Sequence, residues 1–242
     1  MAGTTRIRAV LFDLYNTLIE IQTDERGSEV WRNLARIVQY YGLRAEAEPL
    51  RVRYNEYVQT QLTQSREEHP EVDLVAVFAA ILRDLGYSGP PQLAIQITQL
   101  FRALSMRRFG LFADTLPVLR RLHGRVSLGV ISDAQRVFLE PEMQQLGLEA
   151  VFSVRVVSSD YGYRKPDPRL FRIALAALDV PPSAAVYIGD HPFRDICGAQ
   201  AAGMRAVLLR RGTSSINDSR ACPPDRTVST LDEALNWIAG AL

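Results

Sequence analysis

Four aspartates and one lysine are the residues of this sequence best placed to do chemistry. In VLFDLYNTLIE, residues 10–20, an apolar run of Ala9, Val10, Leu11 and Phe12 stops at the carboxylate of Asp13, and Asn16 and Thr17 follow within one turn. An acid in that position is a candidate nucleophile or metal ligand. Ser132 and Asp133 follow a second apolar run, and Asp190 follows a third, with Asp195 five residues further on. Lys165, in YGYRKPDP, is the only lysine, since 27 of the 28 Lys+Arg residues are arginine. A chain that accepts arginine at every other cationic position and keeps one lysine points to a site that needs a compact ammonium rather than a wide planar guanidinium.

The residue types define the chemistry. Asp13 beside a cation can form a covalent intermediate and so split one difficult displacement into two easier ones. The hydroxyls of Thr17 and Ser132, with N–H groups of the loop after Asp13, can bind the non-reacting oxygens of an anion. Lys165 neutralises charge on nucleophile and substrate. Asp190 and Asp195 add an acidic corner, and two or three carboxylates with a backbone carbonyl and water suit Mg2+. Without a cation, Asp13, Asp190 and Asp195 would repel one another, or one of them must hold a proton. Tyr15 stands where a second acid would be expected for general acid/base work.

Short apolar runs alternating with helical patterns must position these groups, which is the signature of a parallel sheet wound with helices. The runs are IRAVLF (7–12), VSLGVI (126–131), VFSVRVV (151–157), AVYIG (185–189) and RAVLLR (205–210). Helices are expected over Thr115–Leu122, Arg136–Leu146, Arg169–Leu178, Phe193–Ala202 and after Thr230, where Thr230 and Glu233 have capping-box spacing ahead of Leu231, Leu235 and Ile238. Asp13, Ser132, Asp133 and Asp190 then fall at the carboxyl ends of strands. That edge of an open α/β sheet is where ligands bind.

Between the first two strands lies a long stretch without a strand signal. Val30, Leu34, Ile37 and Tyr41 recur at helical spacing, as do Leu74, Val77, Phe78, Ile81 and Leu85, and then Leu93, Ile97, Leu100 and Leu104. With a further helix near Val52–Leu62, this predicts a four-helix insertion over 21–107, separate from a core of 1–20 and 108–242. A crossover needs only about a dozen residues, so the insertion is expected to be a small domain of its own. GTSSINDSRACPP, residues 212–224, reads as a surface loop.

The segments FDLYNT, VISDA, YGYRKPDP and YIGDHPFRDICGAQAAGM, in that order, resemble the four motifs of the haloacid dehalogenase-like (HAD) hydrolase superfamily. The insertion resembles the helical cap of one large branch. The resemblance implies a Rossmann-like core and, in most members, phosphoryl transfer through an aspartyl-phosphate with magnesium. It implies Asp13 as nucleophile, Thr17 and Ser132 as phosphate-binding hydroxyls, with Asn16 and Asp133 beside them, and Lys165 as the stabilising cation. It implies Asp190 as metal ligand, with Asp195 in support. The sequence departs from the phosphatase pattern at Tyr15, where those enzymes carry an acid/base aspartate. Tyr15 keeps the backbone carbonyl that would face the metal, but an unperturbed phenol titrates near pH 10. Dehalogenases of the family carry tyrosine there and expel a halide, which needs no proton. In contrast, GDHPFRD resembles the metal-binding phosphatase version of the fourth motif, and WRNLARIVQYYG lacks the arginine-and-aromatic segment of a dehalogenase pocket.

Composition narrows the partners. The chain has 242 residues, 47% of them apolar, and a formal charge of +1, which gives no electrostatic footprint for nucleic acid. No apolar run is long enough to span a bilayer. Cys197 and Cys222 make no framework, so a reducing, cytoplasmic setting is expected, with Cys197 as helix packing. Trp31, Tyr40, Tyr41 and Tyr54 read as packing within the insertion, Arg26, Arg32, Arg36 and Arg44 as a solvated face, and His69, His123 and His191 as loop residues or residues without partners. Three functions remain: a magnesium-dependent phosphatase-type hydrolase of a small phosphorylated metabolite, a metal-independent 2-haloacid dehalogenase, and a phosphate-binding protein that has lost its acid.

Overall fold

The computed structural model describes residues 6–211 and 218–240. Of the expected surface loop, 212–217 lie outside the described residues, and 218–224 form no helix or strand. The chain opens with β1 (Ala9–Phe12) and leaves the core through β2 (Ile19–Thr23). It passes through α1 (Ser28–Tyr40), α2 (Ala47–Gln64), α3 (Leu74–Asp84) and α4 (Gln92–Ser105), and returns through β3 (Met106–Leu111). Then come α5 (Thr115–Leu122), β4 (Ser127–Ser132), α6 (Arg136–Gln145), β5 (Val154–Val157), α7 (Pro168–Leu178) and β6 (Ala185–Gly189). A π-helical turn, Pro192–Cys197, leads into α8 (Gly198–Ala201), and β7 (Arg205–Leu209), β8 (Arg226–Val228) and α9 (Leu231–Ala239) close the chain.

The sheet runs β5-β4-β1-β6-β7-β8 with every pairing parallel, the expected α/β Rossmann-like core. All four residues of β1 are buried, because a central parallel strand is covered on both faces and so reads as an unbroken apolar run. Phe12 lies between Val130 of β4 and Ile188 of β6, which brings the ends of those three strands together. On one face Phe12, Val130 and Ile188 pack with Leu231, Leu235 and Ile238 of α9. On the other, Leu11, Ile131 and Tyr187 pack with Leu170 and Phe171 of α7. Thr230 caps α9 by accepting the Glu233 N–H at 3.2 Å, and Glu233 reaches back to the Ser229 N–H at 2.8 Å.

Several expectations are corrected. The stretch over 21–107 is not free of strands: β2 and β3 pair antiparallel at its two ends, with Ile21 opposite Phe109. Three-residue β8 escapes the sequence because its place is set by pairing with β7. The helix expected over Phe193–Ala202 is divided: its first half is the π-helical turn and its second half is α8. Trp31 and Tyr54 do pack within the insertion, with ring centroids 5.2 Å apart, but Tyr40 is 91% exposed and Tyr41 46%, so neither belongs to its core.

The insertion lies over the carboxyl edge of the sheet. Arg164 donates its N–H to the His69 carbonyl at 2.7 Å, and the Glu71 N–H donates to Gly162 at 2.9 Å. The Gln135 side chain accepts the Leu74 N–H at 3.0 Å and donates to the Val72 carbonyl at 2.6 Å. Phe138 of α6 joins the apolar cluster of the insertion.

Cys197 and Cys222 form a disulfide, with Cα atoms 5.2 Å apart, within the range such bonds require. Their spacing in sequence conceals this, because Cys197 ends the π-helical turn and Cys222 lies in an irregular segment that folds back on it. The bridge removes the cysteine argument for a reducing compartment. With a sequence separation of 25, it constrains the unfolded chain by about 3 kcal/mol. Reduction is therefore expected to lower unfolding free energy by about that amount, measured by denaturant titration with and without a phosphine reductant.

Candidate active site

Asp13 follows β1, Ser132 ends β4 with Asp133 next to it, and Asp190 follows β6, so strand order brings all four to one edge. Lys165 reaches the same point from the loop before α7. Its Nζ donates to Asp13 Oδ1 at 2.6 Å and to Asp195 Oδ1 at 2.6 Å, and it lies 3.1 Å from the Tyr187 hydroxyl and 3.3 Å from the Ile131 carbonyl. The ammonium is enclosed: the side chains of Lys165, Asp13 and Asp195 are 3%, 9% and 1% exposed. Removing one partner from such a buried set leaves an uncompensated charge and costs about 3–5 kcal/mol.

The third acid completes the corner. Asp13, Asp190 and Asp195 each offer a carboxylate oxygen, and these oxygens all lie within 4.8 Å of one another. Burial pushes Asp13 up to about 6 against the pull of Lys165. Burial, with the charges of Asp13 and Asp195, pushes Asp190 up to about 8. Asp195 is lowered, because the ammonium of Lys165 outweighs the desolvation that raises it. Its second oxygen accepts the His191 N–H at 2.8 Å, so both of its oxygens are engaged within the protein. This set of oxygen donors suits a hard divalent cation: Asp13 and Asp190 are available to hold it, and Asp195 braces Lys165.

Thr17 and Ser132 are fully buried, and neither hydroxyl has a hydrogen-bond partner among the described residues. Unpaired buried hydroxyls are costly and uncommon, which suits donors awaiting an anion. Asn16 takes a left-handed backbone, φ 60°, and its N–H bonds the Ile19 carbonyl at 2.7 Å, which turns the loop back under the site. The Thr17 carbonyl accepts from Arg211 at 2.9 Å, and Arg211 pairs with Asp114 at 2.8 Å. Asp133 Oδ1 accepts the Lys165 N–H at 2.9 Å and so fixes the lysine's backbone as well.

Tyr15 has a role of its own. Its hydroxyl donates to Glu142 Oε2 at 2.6 Å, and Arg102 of α4 donates to the same carboxylate at 2.7 and 3.3 Å. The Arg102 guanidinium also lies 5.2 Å from the Tyr15 ring centroid. Burial, reinforced by the charge of Glu142, holds the phenol well above its ordinary pKa. Tyr15 is thus a neutral, committed donor. Glu142, Arg102 and Tyr187 were not expected from the sequence. Glu142 had a signal, as an acid on the buried face of α6 beside Phe138, Leu139 and Met143. Tyr187 had one too, as a hydroxyl inside an apolar strand, whereas Arg102 had none.

The family profile for haloacid dehalogenase-like hydrolases matches residues 7–203. The chain belongs to that family. As a member of the haloacid dehalogenase-like hydrolases it is a hydrolase. It is 30% identical over 207 residues to a glyceraldehyde 3-phosphate phosphatase of Methanopyrus kandleri, covering 85% of each chain. It is 33% identical over 167 residues to a phosphoserine phosphatase of Thermus thermophilus, covering 69% of this chain and 64% of that one. Among solved structures, a 2-haloacid dehalogenase from Pseudomonas syringae pv. Tomato superposes with a TM-score of 0.69 at 28% identity, covering 98% of this chain and all of that one.

Gly189 gives a sharp test of the acidic corner, because a Cβ there would lie 2.5 Å from the Asp195 carboxyl carbon. Gly189→Ala must push Asp195 off Lys165. It is expected to cost about 1–3 kcal/mol of stability from overpacking. Turnover should fall about 100-fold, as for a misplacement of about 1 Å. Chemical denaturation and steady-state rates measure the two effects.

Proposed function

We propose that this chain is a magnesium-dependent phosphatase-type hydrolase of a small phosphorylated metabolite, with Asp13 as nucleophile. The observation that carries this reading is the acidic corner: three carboxylates share one small volume with a single ammonium, an arrangement that calls for a further cation. Magnesium held by Asp13, Asp190 and the Tyr15 carbonyl would supply that charge and offset the charge of the phosphoryl oxygens.

Asp13 Oδ1, which accepts from Lys165, would also be the oxygen that holds magnesium, and Oδ2 attacks phosphorus. The Oδ2–P bond forms as the bond from phosphorus to the leaving oxygen breaks, and Thr17, Ser132 and Lys165 hold the non-bridging oxygens. Water then attacks the aspartyl-phosphate, releasing inorganic phosphate and restoring Asp13. Tyr15 supplies no proton, because its hydroxyl is bound to Glu142 and its pKa is raised. The reaction therefore favours a leaving group that departs without protonation, as from an acyl or aryl phosphate.

The dehalogenase reading rests on Tyr15 and on the likeness to the Pseudomonas syringae enzyme. It predicts halide release from a short 2-haloacid without metal, whereas the preferred reading predicts magnesium-dependent phosphate release from an aryl phosphate and none from Asp13→Asn. Phosphate binding with no turnover of either substrate class would favour the binding protein. Aryl phosphates should also exceed alkyl phosphates in kcat by about 100-fold or more, the usual weight of a positioned acid, and Tyr15→Asp should narrow that gap. A flat dependence on leaving group would sink this account of Tyr15.

The raised carboxyls give a pH signature. Asp190 is protonated more readily in the folded chain, near pH 8 against an ordinary value of 3.8, so its contribution to stability is full below about pH 4 and is lost as pH rises through 8. A bound cation removes that loss. Magnesium is therefore expected to raise the melting temperature more at pH 8.5 than at pH 5, as followed by scanning fluorimetry.

A further inference from the structure

Beside the nucleophile, between insertion and core, lies a cavity of about 340 Å³ lined in part by Tyr15, Arg102, Asp133, Arg164 and Arg194. Its charges are unevenly matched. Arg102 is taken by Glu142 at 2.7 Å. Arg194 faces Asp133 Oδ2 at 3.5 Å, beyond good hydrogen-bond geometry, and its buried Nε has no partner among the described residues. Among the described residues, the Arg164 guanidinium makes no hydrogen bond or ion pair, although it lines the cavity. Two acids share the wall, and the charge of Arg164 acts on one of them, Glu71. Glu71 is engaged by the Ser158 hydroxyl at 2.5 Å and the Val72 N–H at 2.9 Å, and burial raises its pKa. Burial raises Glu25 as well.

The two arginines also sit next to the reacting groups in sequence. Arg164 precedes Lys165 and Arg194 precedes Asp195, so the bonds that hold Lys165 and Asp195 at the nucleophile also anchor the arginines beside it. Arg102 and Arg194 each face an acid, whereas the Arg164 guanidinium keeps its donors free among the described residues. Guanidinium forks suit the planar geometry of a carboxylate.

We infer that this cavity selects a substrate carrying a carboxylate beside its phosphoryl group, with Arg164 and Arg194 binding the carboxylate. The inference rests on the phosphoryl reading of the site for the first of the two groups. It assigns specificity to two residues of the core rather than to the helical insertion.

The test is calorimetric binding to the full chain with magnesium, using 3-phosphonopropionate against propylphosphonate, which lacks only the carboxylate. Wild type should bind the carboxylate compound about tenfold to 100-fold more tightly, the usual weight of charged hydrogen bonds. Arg164→Gln should remove most of that preference, and Arg164→Lys should restore part of it, with thermal melting to confirm folding. Equal affinities in wild type overturn the inference, as does a preference that survives Arg164→Gln together with Arg194→Gln. Tighter binding of propane-1,3-diphosphonate than of 3-phosphonopropionate overturns the assignment to a carboxylate. Phosphate release from 3-carboxyphenyl phosphate, an aryl phosphate that carries both groups, is read separately. A carboxylate preference without release would support this subsite and count against the phosphatase reading, whereas release without preference would do the reverse.

Discussion

The structure depends on one buried ammonium. Lys165 Nζ joins Asp13 after β1 to Asp195 in the π-helical turn, at 2.6 Å each, with Ile131 of β4 and Tyr187 of β6 closing around it. Its position ties three strands and two loops together at the carboxyl edge of the sheet. Water is excluded, so each of these contacts is stronger than on a surface, and each would be costly to leave unmade. A longer, wider guanidinium would not fit within hydrogen-bond distance of two carboxylates, a phenol and a carbonyl at once. A chain otherwise restricted to arginine keeps its one lysine here.

The acids around that ammonium do not balance it. Asp195 is held charged by Lys165 and a backbone N–H, while burial drives Asp13 and Asp190 toward their protonated forms, helped by the charge of Asp195 on both and of Asp13 on Asp190. The protein alone thus leaves negative charge without sufficient compensation. Thr17 and Ser132 are unsatisfied in the complementary sense, as buried donors without an acceptor among the described residues. A cation and an anion arriving together would relieve both shortages, which is the charge pattern of a phosphoryl group with its metal.

Much of this was legible in the sequence, for a physical reason. Asp13, Ser132 and Asp190 each interrupt or follow an apolar run, and a parallel sheet turns that local pattern into spatial convergence. Lys165 stood out by composition. What could not be read depends on distant pairings. Glu142 and Arg102 are 40 positions apart and meet only because α4 packs on α6. β8 exists by pairing with β7 rather than by its own propensity, and the ends of β2 and β3 were hidden inside a helical stretch. The bridge between Cys197 and Cys222 needed the fold of an irregular segment, to which periodicity offers no guide.

The carboxylate of Glu142 serves two masters: one oxygen takes the phenol of the loop after β1, and both take the guanidinium of α4. If α4 moved off α6, the guanidinium would go with it, and the carboxylate would keep only the phenol as partner. Any such displacement would therefore be felt at Tyr15, two residues from Asp13.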